Sequence, residues 1–206
     1  MKARTILTVI SLATLLVSSA RANQEQLASS MKETRVEAGR TRDQLVATLA
    51  VLTALTKQEK GDLRPAYQAF SAELPKTQAA AEWTRVRGAW MESDGLQYFA
   101  GWQKTIDGIS NVSLRKQAQK RLDATKKSYT KTTASLKAAG EKFKPFLTNL
   151  TDIQKALAND VTANGVKAMR STVSDANWSY KAVNRDINDA LEEMEKMEKS
   201  LSSQAK

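Results

Sequence analysis

The residues best suited to chemistry in this sequence form a short basic stretch, Ser113 to Tyr129. It holds one acid, Asp123, and six basic residues: Arg115, Lys116, Lys120, Arg121, Lys126 and Lys127. A helix turns by about 100° per residue, so four lysines fall on one side of it: Lys116, Lys120, Lys127 and Lys131. This lysine face is interpreted as the solvated side of a helix; the alternative is that it binds an anionic partner.

Anionic lipid, lipopolysaccharide or an acidic protein would suit such a face, because lysines attract anions at long range with little specificity. Nucleic acid is not expected, since no aromatic residues are interleaved with the lysines. The acidic stretch 186–198 is predicted to lie beside residues 124–136. Flanking residues such as Lys126 and Lys137 are then expected to pair with it, while the lysine face points away.

Catalysis and metal binding are not expected. The chain has no histidine and no cysteine, which excludes nucleophilic triads and zinc sites with nitrogen or sulfur ligands. Glu192, Glu193, Glu195 and Glu198 cluster near the C-terminus, but they alternate with apolar residues and are interpreted as a solvated face. We therefore predict no enzyme activity, no catalytic or metal-ligating residues and no cofactor.

Seven of the twelve aromatic residues lie in the predicted second helix. Trp83 and Trp90 are seven residues apart and share a helix face, which favours core packing over a ligand groove.

The first 22 residues have the features of a secretory signal peptide. Lys2 and Arg4 precede an apolar run, and Ala20-Arg21-Ala22 has the small-residue pattern of a cleavage site. We expect cleavage after Ala22 and a periplasmic or secreted protein with no further transmembrane segment. An uncleaved N-terminal anchor is the alternative, although the run is shorter than the ~20 residues that span a bilayer. Without cysteine the mature chain is expected to carry no disulfide and no lipid anchor.

The remaining residues, 23–206, are predicted to form a single helical coiled-coil domain. Strand signals are absent, and heptad-like seams run through long segments. The fold class is predicted to be all-α, an elongated antiparallel up-down bundle of about four long helices. These helices are expected at 24–58, from Leu63 onward, from a cap at Ser113 to about Ala158, and from Val166 after a turn at 159–165. Whether Pro75 or Gly95 breaks the second helix is left open.

The clearest seams lie in the first and last helices. In the first helix the seam is Leu27, Met31, Thr34, Ala38, Thr41, Leu45, Thr48, Leu52 and Leu55. In the last helix it is Val166, Met169, Val173, Ala176, Tyr180, Val183, Ile187, Ala190, Met194, Met197 and Leu201. In the third helix, Leu114, Leu122 and Tyr129 are predicted to face the core.

A set of residues resembles the bacterial family DUF2959. They are Gly61-Asp62-Leu63 with Tyr67, then Phe99 and Trp102, then Ser110 to Arg115, followed by Leu122, Thr125 and Tyr129, then Pro145, Leu147, Asp152 and Leu157. The order and spacing of these residues carry the resemblance, which spans about residues 31–200. It implies an exported, all-helical protein and supplies no activity. Members often carry a lipoprotein cysteine after the signal, which this chain lacks.

The leading hypothesis is a non-enzymatic structural or interaction protein of the cell envelope, acting through coiled-coil or protein–protein contacts. The alternative is a binder of an anionic envelope surface through the lysine face. A third, weaker hypothesis is a ligand site or enzyme that uses the aromatic residues of the second helix.

Overall fold

The fold is all-α. The computed structural model describes the backbone of residues 3–58 and 60–204, and the side chains of residues 21–58 and 60–202. Its helices are α1 (Ala3–Lys57), α2 (Arg64–Asp107), α3 (Val112–Asn159), α4 (Ala163–Ala168) and α5 (Arg170–Gln204). No strand occurs in this part of the chain, so the prediction of an all-helical fold is confirmed.

The first helix begins at Ala3 rather than near residue 24. The predicted signal peptide, residues 1–22, falls almost entirely outside the residues whose side chains are described. Across the described residues, no helix is both long enough and apolar enough to cross a membrane.

The turn between α1 and α2 follows the sequence prediction. Gly61 adopts a positive φ of 91°, a conformation that costs glycine little because it has no Cβ. The Asp62 carboxylate accepts a hydrogen bond of 3.0 Å from the backbone N–H of Arg64, which satisfies one of the free donors at the start of α2. The turn lies between the two predicted helices, although α1 ends at Lys57, four residues before Gly61.

The second helix is continuous across Pro75 and Gly95. An internal proline removes one backbone hydrogen bond and crowds the preceding turn, so a break was a reasonable expectation. The buried residues Phe70, Leu74 and Thr77 lie on both sides of Pro75. Their packing holds the helix together, since tertiary contacts supply most of a helix's stability in a folded protein.

Two other helix boundaries differ from the prediction. Asn111, not Ser113, caps α3, because its side-chain oxygen accepts a hydrogen bond of 3.0 Å from the Leu114 N–H. The last helical segment is divided at Met169 into α4 and α5. Thr162 caps the short α4 by accepting a hydrogen bond of 3.1 Å from the Gly165 N–H.

The long helices contribute to two compact units. The first unit comprises the chain up to Thr34, Arg87–Thr133 and the chain from Glu193 onward; the second comprises Arg35–Val86 and Ala134–Glu192. Each unit therefore contains segments of α1, α2, α3 and α5.

Within the second unit, neighbouring helices run antiparallel. Thr41 contacts Thr84 and Thr48 contacts Thr77, each at 2.8 Å between hydroxyl oxygens, so α1 and α2 run in opposite directions. On the other side of α1, Arg42 contacts Asn188 of α5, and Thr53 contacts Asn177. A continuous apolar cluster fills the unit, including Leu45, Leu52, Phe70, Phe143, Leu150, Val173 and Ile187.

Within the first unit, α2 and α3 are also antiparallel. Gln103 contacts Gln119, and the Met91 carbonyl contacts Tyr129. In the same unit α1 and α2 are antiparallel too, since Glu33 pairs with Arg87 and Asn23 lies beside Gly101.

The predicted seams are confirmed by burial. All nine seam residues of α1 are buried, and in the last helix all except Met169 and Tyr180, which are partly buried. The threonines of the α1 seam remain satisfied, because their hydroxyls bond to backbone carbonyls or to threonines of α2. Leu114 of α3 is an exception: the core prediction was wrong, and its side chain is exposed.

Candidate anion-binding face of the third helix

The orientation of α3 in the first unit is set by a buried tyrosine. The Tyr129 hydroxyl donates a hydrogen bond of 2.9 Å to the backbone carbonyl of Met91 on α2. Its ring packs against Phe99, with 5.3 Å between ring centroids. Leu122 and Thr132 are buried beside it. The opposite side of α3 therefore faces solvent.

Glycine at position 95 is necessary for this arrangement. A Cβ atom built on Gly95 would lie 2.8 Å from ring atom Cε1 of Tyr129, and closer still to the hydroxyl. Such distances are too short for non-bonded carbon atoms. The small residue on α2 lets the tyrosine of α3 reach the Met91 carbonyl.

A second polar contact holds α3 closer to its N-terminus. The side-chain amides of Gln103 and Gln119 exchange hydrogen bonds of 3.0 and 3.2 Å. The same amides also donate to Asp107 and Asp123, at 2.9 and 3.0 Å. Both flanking carboxylates are thus engaged within their own helices.

Three lysines of the predicted face are exposed, and no ion pair involves them within the described part of the chain: Lys116, Lys120 and Lys127. Along the helix axis Lys116 and Lys120 are about 6 Å apart, and Lys120 and Lys127 about 10 Å apart. Such a row presents ammonium groups as separate point charges, which suits an extended anionic surface better than one small anion.

The fourth lysine is different. Lys131 forms an ion pair with Glu193 of α5, with 2.8 Å between Nζ and Oε1. Lys131 donates a hydrogen bond to the Glu193 carboxylate, and this lowers the pKa of that carboxyl below its usual value. The prediction that Lys131 points away from the acidic stretch was therefore wrong.

Ion pairs between α3 and the acidic stretch 186–198 do occur, but they involve lysines other than the predicted Lys126 and Lys137. Besides Lys131, Lys142 pairs with Asp186, and its hydrogen bond lowers the pKa of that carboxyl. Lys126 and Lys137 form no ion pair with any described residue. The acidic stretch is therefore partly a partner for α3, as predicted, and not wholly a free solvated face.

The prediction that Trp83 and Trp90 pack in the core was wrong. Both side chains are at least half exposed. Trp90 lies beneath the guanidinium of Arg87, which is 4.7 Å from the ring centroid, and Arg87 is held by Glu33 at 2.5 Å.

A third exposed tryptophan, Trp178 on α5, was not singled out from the sequence and is 74% exposed. Its spacing in the sequence could have indicated this exposure. Ala176 and Tyr180 belong to the α5 seam, and residue 178 lies on the opposite side of the helix.

The titratable groups of the described residues do not assemble into a metal site, since no group of three or more possible ligands is found there. The shifted carboxyl groups share one pattern: basic neighbours lower the pKa of Asp62, Glu73, Glu82, Asp186 and Glu193. Lowered values are typical of ion-paired surface carboxylates, whereas a general acid working near neutral pH needs a raised one.

Residues 18–201 of the chain match the family described as "Protein of unknown function (DUF2959)". No curated protein matches the chain.

Proposed function

This chain belongs to the DUF2959 family, which carries no assigned activity. From its surface, we propose that it is a non-enzymatic interaction protein of the cell envelope. It acts through protein–protein contacts or self-association. The observation that supports this function is the exposure of three of the four tryptophans: Trp83, Trp90 and Trp178 are each at least half exposed. Tryptophan is among the residue types enriched at interaction hot spots, and burying its large apolar surface against a partner is favourable.

A crosslinking experiment tests this function. A photo-activatable residue at position 178 should capture a defined protein, or a second copy of the chain, in the native envelope. The same residue at Ser174, an exposed polar position one turn earlier on α5, serves as the control. Equal capture at both positions, or none at position 178, would contradict a partner surface at Trp178.

Export is part of this proposal, supported by the sequence of residues 1–22. Protein purified from the periplasm or the medium should begin at Asn23. Recovery of a chain that retains Met1 in the inner membrane would instead favour the uncleaved anchor.

A second candidate function is attachment to an anionic envelope surface, either lipid or lipopolysaccharide. It is favoured by one specific finding: Lys116, Lys120 and Lys127 are exposed and unpaired among the described residues, whereas the next lysines along the same helix face, Lys131 and Lys142, are paired.

Replacing Lys116, Lys120 and Lys127 together with glutamine tests the second candidate. Binding of the natural chain to anionic vesicles or lipopolysaccharide should weaken as salt rises, because exposed charges are screened beyond about 8–10 Å at physiological ionic strength. The triple variant should bind much less. A matched control replaces Lys57, Lys167 and Lys181, which are exposed in the second unit and give the same change in charge. Equal loss in both triple variants would point to net charge rather than to this face.

A further inference from the structure

Two aliphatic side chains are exposed at the start of α3. Val112 is 68% exposed and Leu114 is 54% exposed. They follow the α2–α3 turn directly, and we call residues 108–114 the tip. At about 100° per residue, Val112 lies some 40° from Lys116 around the helix, so it belongs to the same side as the lysine face.

Leu114 is exposed for a reason that the packing of α3 against α2 supplies. Its helical phase matches Leu122 and Tyr129, which are buried. Gln103 of α2 contacts Gln119 of α3, so in this antiparallel register Asp107, the last residue of α2, lies opposite about Arg115. Leu114 therefore lies just beyond the end of the helix that covers Tyr129.

The charges behind the tip all have the same sign. Between Asp107 and Asp123 the chain has no acidic residue and four basic ones: Arg115, Lys116, Lys120 and Arg121. All four are exposed. Asp107 and Asp123 themselves accept hydrogen bonds from Gln103 and Gln119. An apolar end followed by a ring of cations is the arrangement of segments that bind membrane interfaces, where apolar groups enter the acyl boundary and cations meet phosphates.

We propose that the tip inserts Val112 and Leu114 into the surface of an anionic phospholipid bilayer, while Arg115, Lys116 and Lys120 contact its phosphate groups. This rests on the second candidate function and names its partner and its inserting residues. An acidic protein or a polyanion would satisfy the cations alone. A phospholipid bilayer also supplies an apolar phase for the two aliphatic side chains, and long basic side chains extend their charged ends to the phosphates.

Site-specific labelling gives a direct test. The chain has no cysteine, so Val112→Cys provides a single position for an environment-sensitive fluorophore in the full chain. On addition of vesicles of equal parts phosphatidylglycerol and phosphatidylcholine, its emission should increase and shift to shorter wavelength. The control is Leu96→Cys: Leu96 is 75% exposed on α2 of the same unit, about 16 Å before Asp107 along the helix. Its label should not respond.

Substitution measures the strength of the insertion. Val112→Gln with Leu114→Gln should weaken partitioning into the same vesicles roughly ten-fold or more, since two aliphatic side chains lose their burial. Leu96→Gln should leave it unchanged. Circular dichroism should show equal helicity for all variants, because each replaced side chain is exposed.

The outcomes separate the insertion from the proposed function. If the vesicles bind through the lysines but the label at position 112 stays unchanged and the double glutamine variant binds normally, insertion is overturned and anionic-surface binding stands. If only lipopolysaccharide or a soluble polyanion binds, the phospholipid partner is overturned and the anionic-surface function again stands. If no anionic surface binds the natural chain, both fail. Loss of binding in the double variant with a responsive label supports the proposal.

Discussion

The hydroxyl group of Tyr129 lies in the space that a side chain at Gly95 would occupy, and it donates a hydrogen bond of 2.9 Å to the carbonyl of Met91. The bulky Tyr129 of α3 thus fills the space that Gly95 leaves open on α2. This contact orients α3, and with it the lysine face, in the first unit.

Gly95→Ala should destabilise the protein by about 1–3 kcal/mol, because overpacking a well-packed site forces side chains or backbone to move. Gly140→Ala is the matched control, since a Cβ there meets nothing within 4 Å. It should stabilise α3 by up to about 1 kcal/mol, the difference in helix propensity between glycine and alanine. Urea denaturation measures both changes. An equal gain from the two substitutions would show that Tyr129 does not need the space at Gly95.

The protein should lose stability as pH rises from about 10 towards 12, through two buried tyrosines. Burial raises the pKa of Tyr98 to about 12. Burial also raises the pKa of Tyr129, with a further rise from the charges of Glu92 and Asp94. Above pH 10 the unfolded chain releases these protons while the folded chain retains them, so the free energy of unfolding falls as pH rises.

By pH 11 each tyrosine should account for a loss of about 1 kcal/mol. A variant with Tyr98→Phe and Tyr129→Phe should be less stable than the natural chain at pH 7, because Tyr129 loses its hydrogen bond to Met91, worth about 1 kcal/mol. Its further decline up to pH 11 should be clearly smaller. Parallel decline of the two proteins in denaturant titrations would place the pH dependence elsewhere.

The lysines of the face should differ from one another in their effect on stability. Lys131→Gln removes the ion pair with Glu193 and should cost up to about 1 kcal/mol, the usual range for exposed pairs. Lys116→Gln should cost almost nothing.

The contribution of the Lys131 pair should also depend on pH. Because Lys131 lowers the pKa of Glu193, the contribution is present above the unfolded value near 4.5 and is lost as pH falls through the lower folded value. Thermal melts of the natural chain and Lys131→Gln should therefore converge in acid. A constant difference between them at low pH would exclude the pair as its source.

The buried hydroxyls of Thr48 and Thr77, 2.8 Å apart, should behave as a coupled pair. Thr48→Val alone should cost about 1–3 kcal/mol, since it leaves a buried partner less well satisfied. Replacing both threonines with valine should cost less than the sum of the two single changes, because no unpaired hydroxyl remains. Additive losses in a double-mutant cycle would mean that each hydroxyl relies on its own helix backbone instead.

The sequence by itself determined that the chain is helical and which residues of the first and last helices face inward. The α1 seam from Leu27 to Leu55 could be read correctly because helical periodicity is a local property that repeats along one chain segment. The turn between α1 and α2 was predictable for the same reason, since turn signals act on adjacent residues. Periodicity also placed Lys116, Lys120 and Lys127 together on one side of α3.

Only the tertiary structure decided which partner stands opposite each face. Spacing showed that Trp83 and Trp90 share a side of α2, but not that this side is exposed. The register of α3 against α5 pairs Lys131 with Glu193, and its register against α2 leaves Leu114 uncovered. A shift of a few residues would change both results. Likewise, the residues around Gly95 in the sequence do not indicate its contact with Tyr129, which is 34 residues away. These contacts join distant segments, and so they follow from how the helices pack rather than from the pattern within any one of them.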